Sequence, residues 1–149
     1  MRIAIGSDHA GYELKSALVK YLQKHQIEVH DMGTFSKDSV DYPDYANQVC
    51  HTIIRDYSDL GILVCYTGIG MSMAANKHKG IRAALVTSVE NAVLTREHNN
   101  ANVLCLGAKD VSQELAIEIV EKFINTKFTE GRHMKRVEKV MNIEKNEKR

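Results

Sequence analysis

A cysteine stands where a buried strand is predicted to meet a glycine turn. The apolar run 62–64 is typical of a strand inside a parallel sheet, and Cys65 follows it directly. The loop 66–70 contains two glycines and leads into a small-residue helix predicted over 71–75. Such a turn directs backbone N–H groups at one point, where the helix dipole favours negative charge. The pattern predicts a site for a short-lived oxyanion, with the Cys65 thiol as its base or nucleophile.

This stretch also has an interpretation without chemistry. Most free cysteines behave as small buried hydrophobic residues, and Cys50 and Cys105 fall on predicted core faces. Glycine turns are common, so the loop alone is a weak signal. Both interpretations stay open at the level of single residues.

Asp8 and His9 follow the first predicted strand, 2–6. Ligands of open α/β sheets bind at the carboxyl edge beside the point where the strand order reverses. Strands one and three should flank that point, so we expect Asp8 and His9 to lie next to the Cys65 loop. Alternatively, these side chains satisfy the N–H groups of a turn.

Five short apolar runs alternate with amphipathic helical patterns along the chain. The predicted strands cover residues 2–6, 27–32, 62–64, 82–86 and 103–106. This alternation predicts an α/β fold with a five-stranded parallel sheet and helices on both faces. The most common order for this number of strands, 2-1-3-4-5, is Rossmann-like or flavodoxin-like. We expect one domain over 1–149, with an extra C-terminal helix at about 131–145 that contacts a partner subunit.

Composition excludes several classes of function. The 149 residues carry a net charge of +1, which suggests neither nucleic acid nor a strongly charged partner. Apolar runs of four or five residues are far too short for a membrane span. Three cysteines form no C-x-x-C pair, so we expect a reducing, cytoplasmic setting. The histidines are scattered without metal-binding spacing, so no metal site is expected.

His98 and Asn99 follow a predicted helix that runs back from the carboxyl edge of the sheet. They should therefore lie away from Cys65 of the same chain, and sharing a site with it requires a second subunit. Arg132 and Arg136 raise the same problem; their spacing of four places both on one helical face, where they suit a phosphate. The alternatives are a helix C-cap at His98-Asn99 and a solvated surface at the two arginines.

Taken together, these stretches resemble type B ribose-5-phosphate isomerase over nearly the whole chain and in register. The wider family includes galactose-6-phosphate isomerase subunits, which generally lack the patterns at 98–99 and 131–133, so the pentose enzyme fits better. The matching segments are Gly6-Ser7-Asp8-His9-Ala10-Gly11, Asp41-Tyr42-Pro43, Cys65-Tyr66-Thr67-Gly68-Ile69-Gly70, Ala74-Ala75-Asn76-Lys77, Gly80-Ile81-Arg82-Ala83, Arg96-Glu97-His98-Asn99, Ala101-Asn102-Val103, and Gly131-Arg132-His133 with Arg136.

The resemblance implies an aldose–ketose isomerase of the non-oxidative pentose phosphate pathway that uses neither metal nor organic cofactor. Cys65 resembles the base that moves a proton between C1 and C2, and His98 resembles the acid that opens the furanose ring, with Asp8 holding the ring oxygen or a hydroxyl. The implied catalytic residues are Cys65, His98, Asp8 and Thr67. The implied substrate contacts are Asp8, His9, Tyr66, Thr67, Gly68, Ile69, Gly70, Asn99, Lys109, Arg132 and Arg136.

The same resemblance implies a homodimer or dimer of dimers with its sites at the dimer interface. The chain departs from the family at two positions. Tyr66 stands where the family usually has glycine, and Lys109 stands where it usually has arginine. A lysine binds phosphate as a point charge, without the bidentate fork of arginine.

Two other functions use a similar fold. A non-catalytic module that binds a phosphosugar or nucleotide would keep the glycine loop and basic residues without using a thiol. A phospho-acceptor signalling domain would need an aspartate at the end of strand three, where Cys65 stands.

Overall fold

The computed structural model describes residues 1–147, in which five strands alternate with the first five of six helices. In chain order the elements are β1 (Arg2–Ser7), α1 (Tyr12–Lys24), β2 (Glu28–Asp31), α2 (Tyr42–Ile54), β3 (Leu60–Cys65), α3 (Ile69–Ala75), β4 (Ala83–Leu85), α4 (Val89–Glu97), β5 (Val103–Gly107), α5 (Gln113–Asn125) and α6 (Arg132–Asn146).

All strand pairs are parallel, and the observed order is β2-β1-β3-β5-β4. The parallel sheet is confirmed, whereas the predicted order 2-1-3-4-5 is wrong in its last two strands. All five residues of β5 are buried, because β5 pairs on both sides. The three-residue β4 forms the edge instead, and its Leu85 is exposed. Strands β1 and β3 remain neighbours, so the exchange leaves the Cys65 edge intact.

Right-handed crossovers explain where the helices lie. The chain steps in one direction across the sheet from β1 to β2 and from β4 to β5. It steps in the other direction from β2 to β3 and from β3 to β4. Accordingly, α1 and α4 pack on one face of the sheet, where α5 joins them, and α2 and α3 pack on the other. The buried apolar side chains form one hydrophobic cluster on each face.

Helix ends follow the local sequence. Pro43 lies in the first turn of α2, where a missing N–H costs nothing. The helix α4 is capped by the Ser88 hydroxyl, which accepts the Asn91 N–H at 3.1 Å. Ser112 caps α5 in the same way.

The C-terminal helix α6 has an apolar side that its own chain covers only in part. Met134, Val140 and Ile143 are exposed, while Val137 and Met141 are half-buried. Among the helices of residues 1–147, none has the length and apolar character that crossing a membrane requires.

Candidate active site

Cys65 ends β3 on the sheet face covered by α2 and α3, because side chains alternate along the strand and Leu63 belongs to the same cluster. The residue is only 4% exposed. Its sulfur accepts the Gly68 N–H at 3.1 Å. The thiol therefore lies largely buried under the glycine loop.

The glycine loop is built to turn tightly over this sulfur. Gly68 has φ of +78°, a conformation that strongly favours glycine, and a side chain there would also strike Leu85. The Thr67 hydroxyl accepts the Ile69 N–H at 3.2 Å. In the described part of the chain, the N–H groups of Gly70 and Met71 donate to no protein acceptor. The first turn of α3 thus keeps donors available near the sulfur.

A cleft of about 390 Å³ opens above Cys65. Asp8 lies in its wall, with one carboxylate oxygen accepting the Gly11 N–H at 3.1 Å. The backbone N–H of Asp8 donates to the Val64 carbonyl at 3.3 Å, which joins the ends of β1 and β3. The predicted proximity of Asp8 to the Cys65 loop is therefore observed. The lining residues are Asp8, Tyr42, Cys65, Tyr66, Thr67, Ile69, Gly70 and Met73.

Tyr42 belongs to the matching segment Asp41-Tyr42-Pro43 but was given no role from the sequence, and it lines this cleft. A methyl group at position 70 would lie 2.5 Å from the Tyr42 ring, so the ring packs directly on Gly70. The signal was present in the topology, because α2 follows β2 and must begin at the carboxyl edge. Tyr66 also lines the cleft, with 58% of its surface exposed.

His9 and Lys109 lie on the same edge of the sheet. The Nδ1 atom of His9 accepts the Val40 N–H at 3.2 Å, so the loop after β2 fixes this ring. The Lys109 backbone N–H donates to the Tyr66 carbonyl at 2.9 Å, and its ammonium pairs with Asp110 at 3.1 Å.

His98, Asn99 and Arg136 line a second cleft of about 540 Å³, which shares no lining residue with the Cys65 cleft. This arrangement agrees with the direction of α4, which carries His98 away from the carboxyl edge. His133, to which the sequence assigned no role, also lines this cleft. Arg132 is exposed one residue earlier, at the start of α6.

The rings of His98 and His133 stack, with centroids 4.2 Å apart and planes inclined by 16°. Burial lowers the pKa of His133 below its ordinary value, and the neighbouring His98, Arg132 and Arg136 lower it further against the opposing effect of Glu97. His133 therefore stays neutral near neutral pH beside the cations Arg132 and Arg136.

The two clefts are chemically complementary. The Cys65 cleft has a thiol, a carboxylate and loop amides, and no Lys or Arg among its lining residues. The second cleft has two arginines and two histidines but no thiol. Within residues 1–147, no three His, Cys, Asp or Glu side chains are grouped closely enough to hold a metal ion.

Comparison with known proteins identifies the family of this chain. Residues 3–140 match the family model described as Ribose/Galactose Isomerase. The chain belongs to the ribose/galactose isomerase family. One relative is ribose-5-phosphate isomerase B of Escherichia coli K12, which is 44% identical over 143 residues that cover 96% of each protein.

Solved structures of ribose/galactose isomerases share the fold closely. Ribose-5-phosphate isomerase B from Clostridium thermocellum superposes with a TM-score of 0.96 at 47% identity, covering 97% of this chain and 98% of that one. The enzyme from Mycoplasma genitalium, solved with bound ribulose-5-phosphate, gives 0.94 at 43% identity and covers 98% of this chain and 97% of that one.

Proposed function

We propose that this chain interconverts ribose 5-phosphate and ribulose 5-phosphate through an enediolate. One observation carries the proposal: a thiol at the end of β3, held under the Gly68 amide, opens into a cleft that also contains Asp8. Membership of a family with a ribulose-5-phosphate-bound member supports the same substrate class.

The proton transfer uses Cys65 as a general base. The thiolate takes the proton from C2 of the open-chain aldose, and the electron pair moves through the new C1–C2 double bond onto the carbonyl oxygen. The thiol then returns the proton to C1, the C2 hydroxyl proton passes to the C1 oxygen, and the C2 oxygen becomes the ketone. Such a base typically contributes about 10²–10⁴-fold to the rate.

The loop over Cys65 supplies the stabilisation of the enediolate. The Gly68 and Ile69 amides are bonded to the Cys65 sulfur and the Thr67 hydroxyl, so we assign the oxyanion donors to the N–H groups of Gly70 and Met71, with the Thr67 hydroxyl beside them. Removal of one such donor commonly costs about 10²–10³-fold in rate. Because these donors are fixed before the substrate arrives, they need no reorganisation during the reaction.

Ring opening requires a further proton donor, because this scheme uses Cys65 as the base and Asp8 to hold the sugar. We assign it to His98. The bond from C1 to the ring oxygen breaks as His98 gives that oxygen a proton, and the anomeric hydroxyl loses its proton to water and becomes the C1 carbonyl, while Asp8 holds the anomeric hydroxyl or the ring oxygen. His98 lines a different cleft of its own chain, so the acid must come from a second copy.

The same second copy supplies the phosphate site. Asn99, Arg132 and Arg136 accompany His98, and His9 and Lys109 approach from the Cys65 edge. The phosphate is remote from C1 and C2, so its binding energy can position the reacting carbons.

Two exposed apolar surfaces favour a homodimer as the assembly that brings the two kinds of cleft together. Tyr42, Tyr66, Ile69 and Met73 leave apolar surface exposed around the Cys65 cleft. The exposed apolar side of α6 borders the other cleft through Val140. Joining a second copy would cover these surfaces and bring the thiol of one chain to the cations of the other, in a dimer or a dimer of dimers.

Three unpaired cysteines suit a cytoplasmic enzyme, and we place the reaction in that reducing compartment. Carbon-bound hydrogen exchange tests the function directly. Purified protein incubated with ribulose 5-phosphate in heavy water should incorporate deuterium at C1 and form ribose 5-phosphate. Binding without exchange would instead support the non-catalytic phosphosugar module. Parallel assays with allose 6-phosphate and galactose 6-phosphate define the sugar range.

A further inference from the structure

The stack between His98 and His133 joins two elements that are distant in sequence. His98 follows α4, where its N–H donates to the Leu94 carbonyl at 2.8 Å. His133 lies in the first turn of α6, where its N–H donates to the Glu130 carbonyl at 3.0 Å. The backbone therefore fixes the base of each side chain, and the ring-to-ring contact at 4.2 Å links their ends.

Within the described residues, no hydrogen bond sets the orientation of the His98 ring. Within residues 1–147, the histidine rings that make hydrogen bonds are those of His9, His25, His30 and His78. The ring nitrogens of His98 are thus free for a ligand, and the flat surface of His133 is what holds the plane of the ring. His133 is itself only 7% exposed, so the residues packed around it restrict movement of its ring.

We propose that His133 is a positioning residue that holds the His98 imidazole in the orientation needed to protonate the furanose ring oxygen. This inference rests on the proposed function and deepens it. His133 does not contact the reacting atoms in this scheme. It restricts rotation of the His98 side chain, so that the ring edge with its nitrogens faces the cleft that both residues line.

Charges around the pair suit this role. Glu97 comes from α4, and Arg132 and Arg136 come from α6. Arg82, which directly precedes β4, lines the same cleft. The Arg82 guanidinium is occupied by the Asn100 carbonyl, at 2.7 Å from Nε. Burial and the neighbouring cations lower the pKa of His133, so its ring stays neutral where an ordinary histidine begins to charge. A neutral supporting ring does not repel a protonated His98.

Two substitutions at position 133 distinguish the physical support that the ring gives to His98 from the ability of His133 to take up a proton. His133→Phe keeps a flat ring for the stack and removes the ionisable group, whereas His133→Ala removes the ring. His78→Ala is the matched control, because it removes a half-buried histidine ring that meets His51 edge-on at 5.4 Å, outside both clefts.

Each variant is assayed in two ways, together with its oligomeric state by sedimentation. Turnover of ribose 5-phosphate requires ring opening, whereas deuterium exchange at C1 of ribulose 5-phosphate requires only the Cys65 chemistry. We expect His133→Ala to lose about tenfold or more in turnover while its exchange rate stays within about twofold. His133→Phe and His78→Ala should keep most of both activities.

The inference is overturned if His133→Ala turns over ribose 5-phosphate like the wild type, or if His133→Phe loses as much as His133→Ala. Parallel loss of exchange and turnover in an intact His133→Ala assembly also overturns it, because a general structural defect would affect both. If His133→Ala does not assemble, His133→Phe tests the inference alone. It should keep most of the turnover and exchange of the wild type, and a loss of turnover in it overturns the inference. Wild-type protein with neither turnover nor exchange would overturn the proposed function itself.

Discussion

The amide nitrogen of Gly68 lies 3.1 Å from the sulfur of Cys65, so the loop after β3 folds back over the side chain that ends the strand. This one contact ties the proposed base to the donors that would stabilise the enediolate. Both features occupy a few consecutive residues, which explains why this half of the site is recognisable in the sequence.

Replacing Cys65 should remove catalysis and leave the fold intact. We expect Cys65→Ala to lower kcat for ribose 5-phosphate by about 10²–10⁴-fold, because the base that moves the carbon-bound proton is gone. Steady-state kinetics and calorimetric binding of ribulose 5-phosphate measure the two effects separately. Cys50→Ala is the control, since burial raises the pKa of Cys50 to about 12 and keeps that thiol protonated. Wild-type turnover in Cys65→Ala would exclude this base.

Replacing His98 should separate ring opening from proton transfer. We expect His98→Asn to lower ribose 5-phosphate turnover by about 10²-fold while C1 exchange of ribulose 5-phosphate continues. Proton NMR in heavy water follows exchange, and a coupled optical assay follows turnover. If both rates fell together, His98 would have a role in the enediolate step and not in ring opening.

Tyr66 should restrict the size of the sugar. Its ring lies at the rim of the Cys65 cleft and is 58% exposed. We expect Tyr66→Ala to raise kcat/KM for allose 6-phosphate relative to ribose 5-phosphate, because the wider rim admits one more carbon. Tyr57→Ala, an exposed tyrosine outside that cleft, should leave the ratio unchanged. An unaltered ratio in Tyr66→Ala would contradict a role in sugar selection.

An ion pair between a buried lysine and a partly exposed aspartate supports the loop that carries the His9 contact. Lys15 is 1% exposed and bonds both Asp31 carboxylate oxygens, at 2.7 and 2.8 Å, and Asp31 also accepts the Gly33 N–H at 3.0 Å. We expect Lys15→Met to lower the free energy of unfolding by about 3 kcal/mol, because it leaves the carboxylate without its cation.

Urea denaturation measures this loss. Lys37→Met is the matched control, since Lys37 pairs with Glu13 at a site where both side chains are mostly exposed. Its cost should stay below about 1 kcal/mol. Equal losses in the two variants would show that burial of the Lys15 pair contributes nothing special.

Stability should fall in mild acid through His133. Its pKa is lowered in the folded protein, so below about pH 6.5 the unfolded chain takes up a proton that the folded chain does not. This proton uptake favours unfolding as the pH falls from neutrality through that range. Urea titrations at several pH values should give a smaller acid-side loss for His133→Phe than for the wild type. Identical pH slopes would contradict the shifted pKa.

Local patterns predicted most of the elements, because each depends on residues close in sequence. Leu14, Leu18 and Leu22 recur at helical spacing, and all three are buried against the sheet as α1. Periodicity predicts burial less accurately at helix ends. Ile54 lies four residues after the buried Cys50, at helical spacing, yet it is in the last turn of α2 and is exposed.

The sequence by itself determined the alternation of strands and helices, and it determined that a cysteine ends β3 before a glycine turn. Only the tertiary structure decided that β5 lies between β3 and β4. It also decided that Tyr42 packs on Gly70 and that His133 stacks on His98, 35 residues away. These pairings depend on burial and shape between segments that are far apart in the chain. Periodicity records only which side chains avoid water, and not which distant partners cover them.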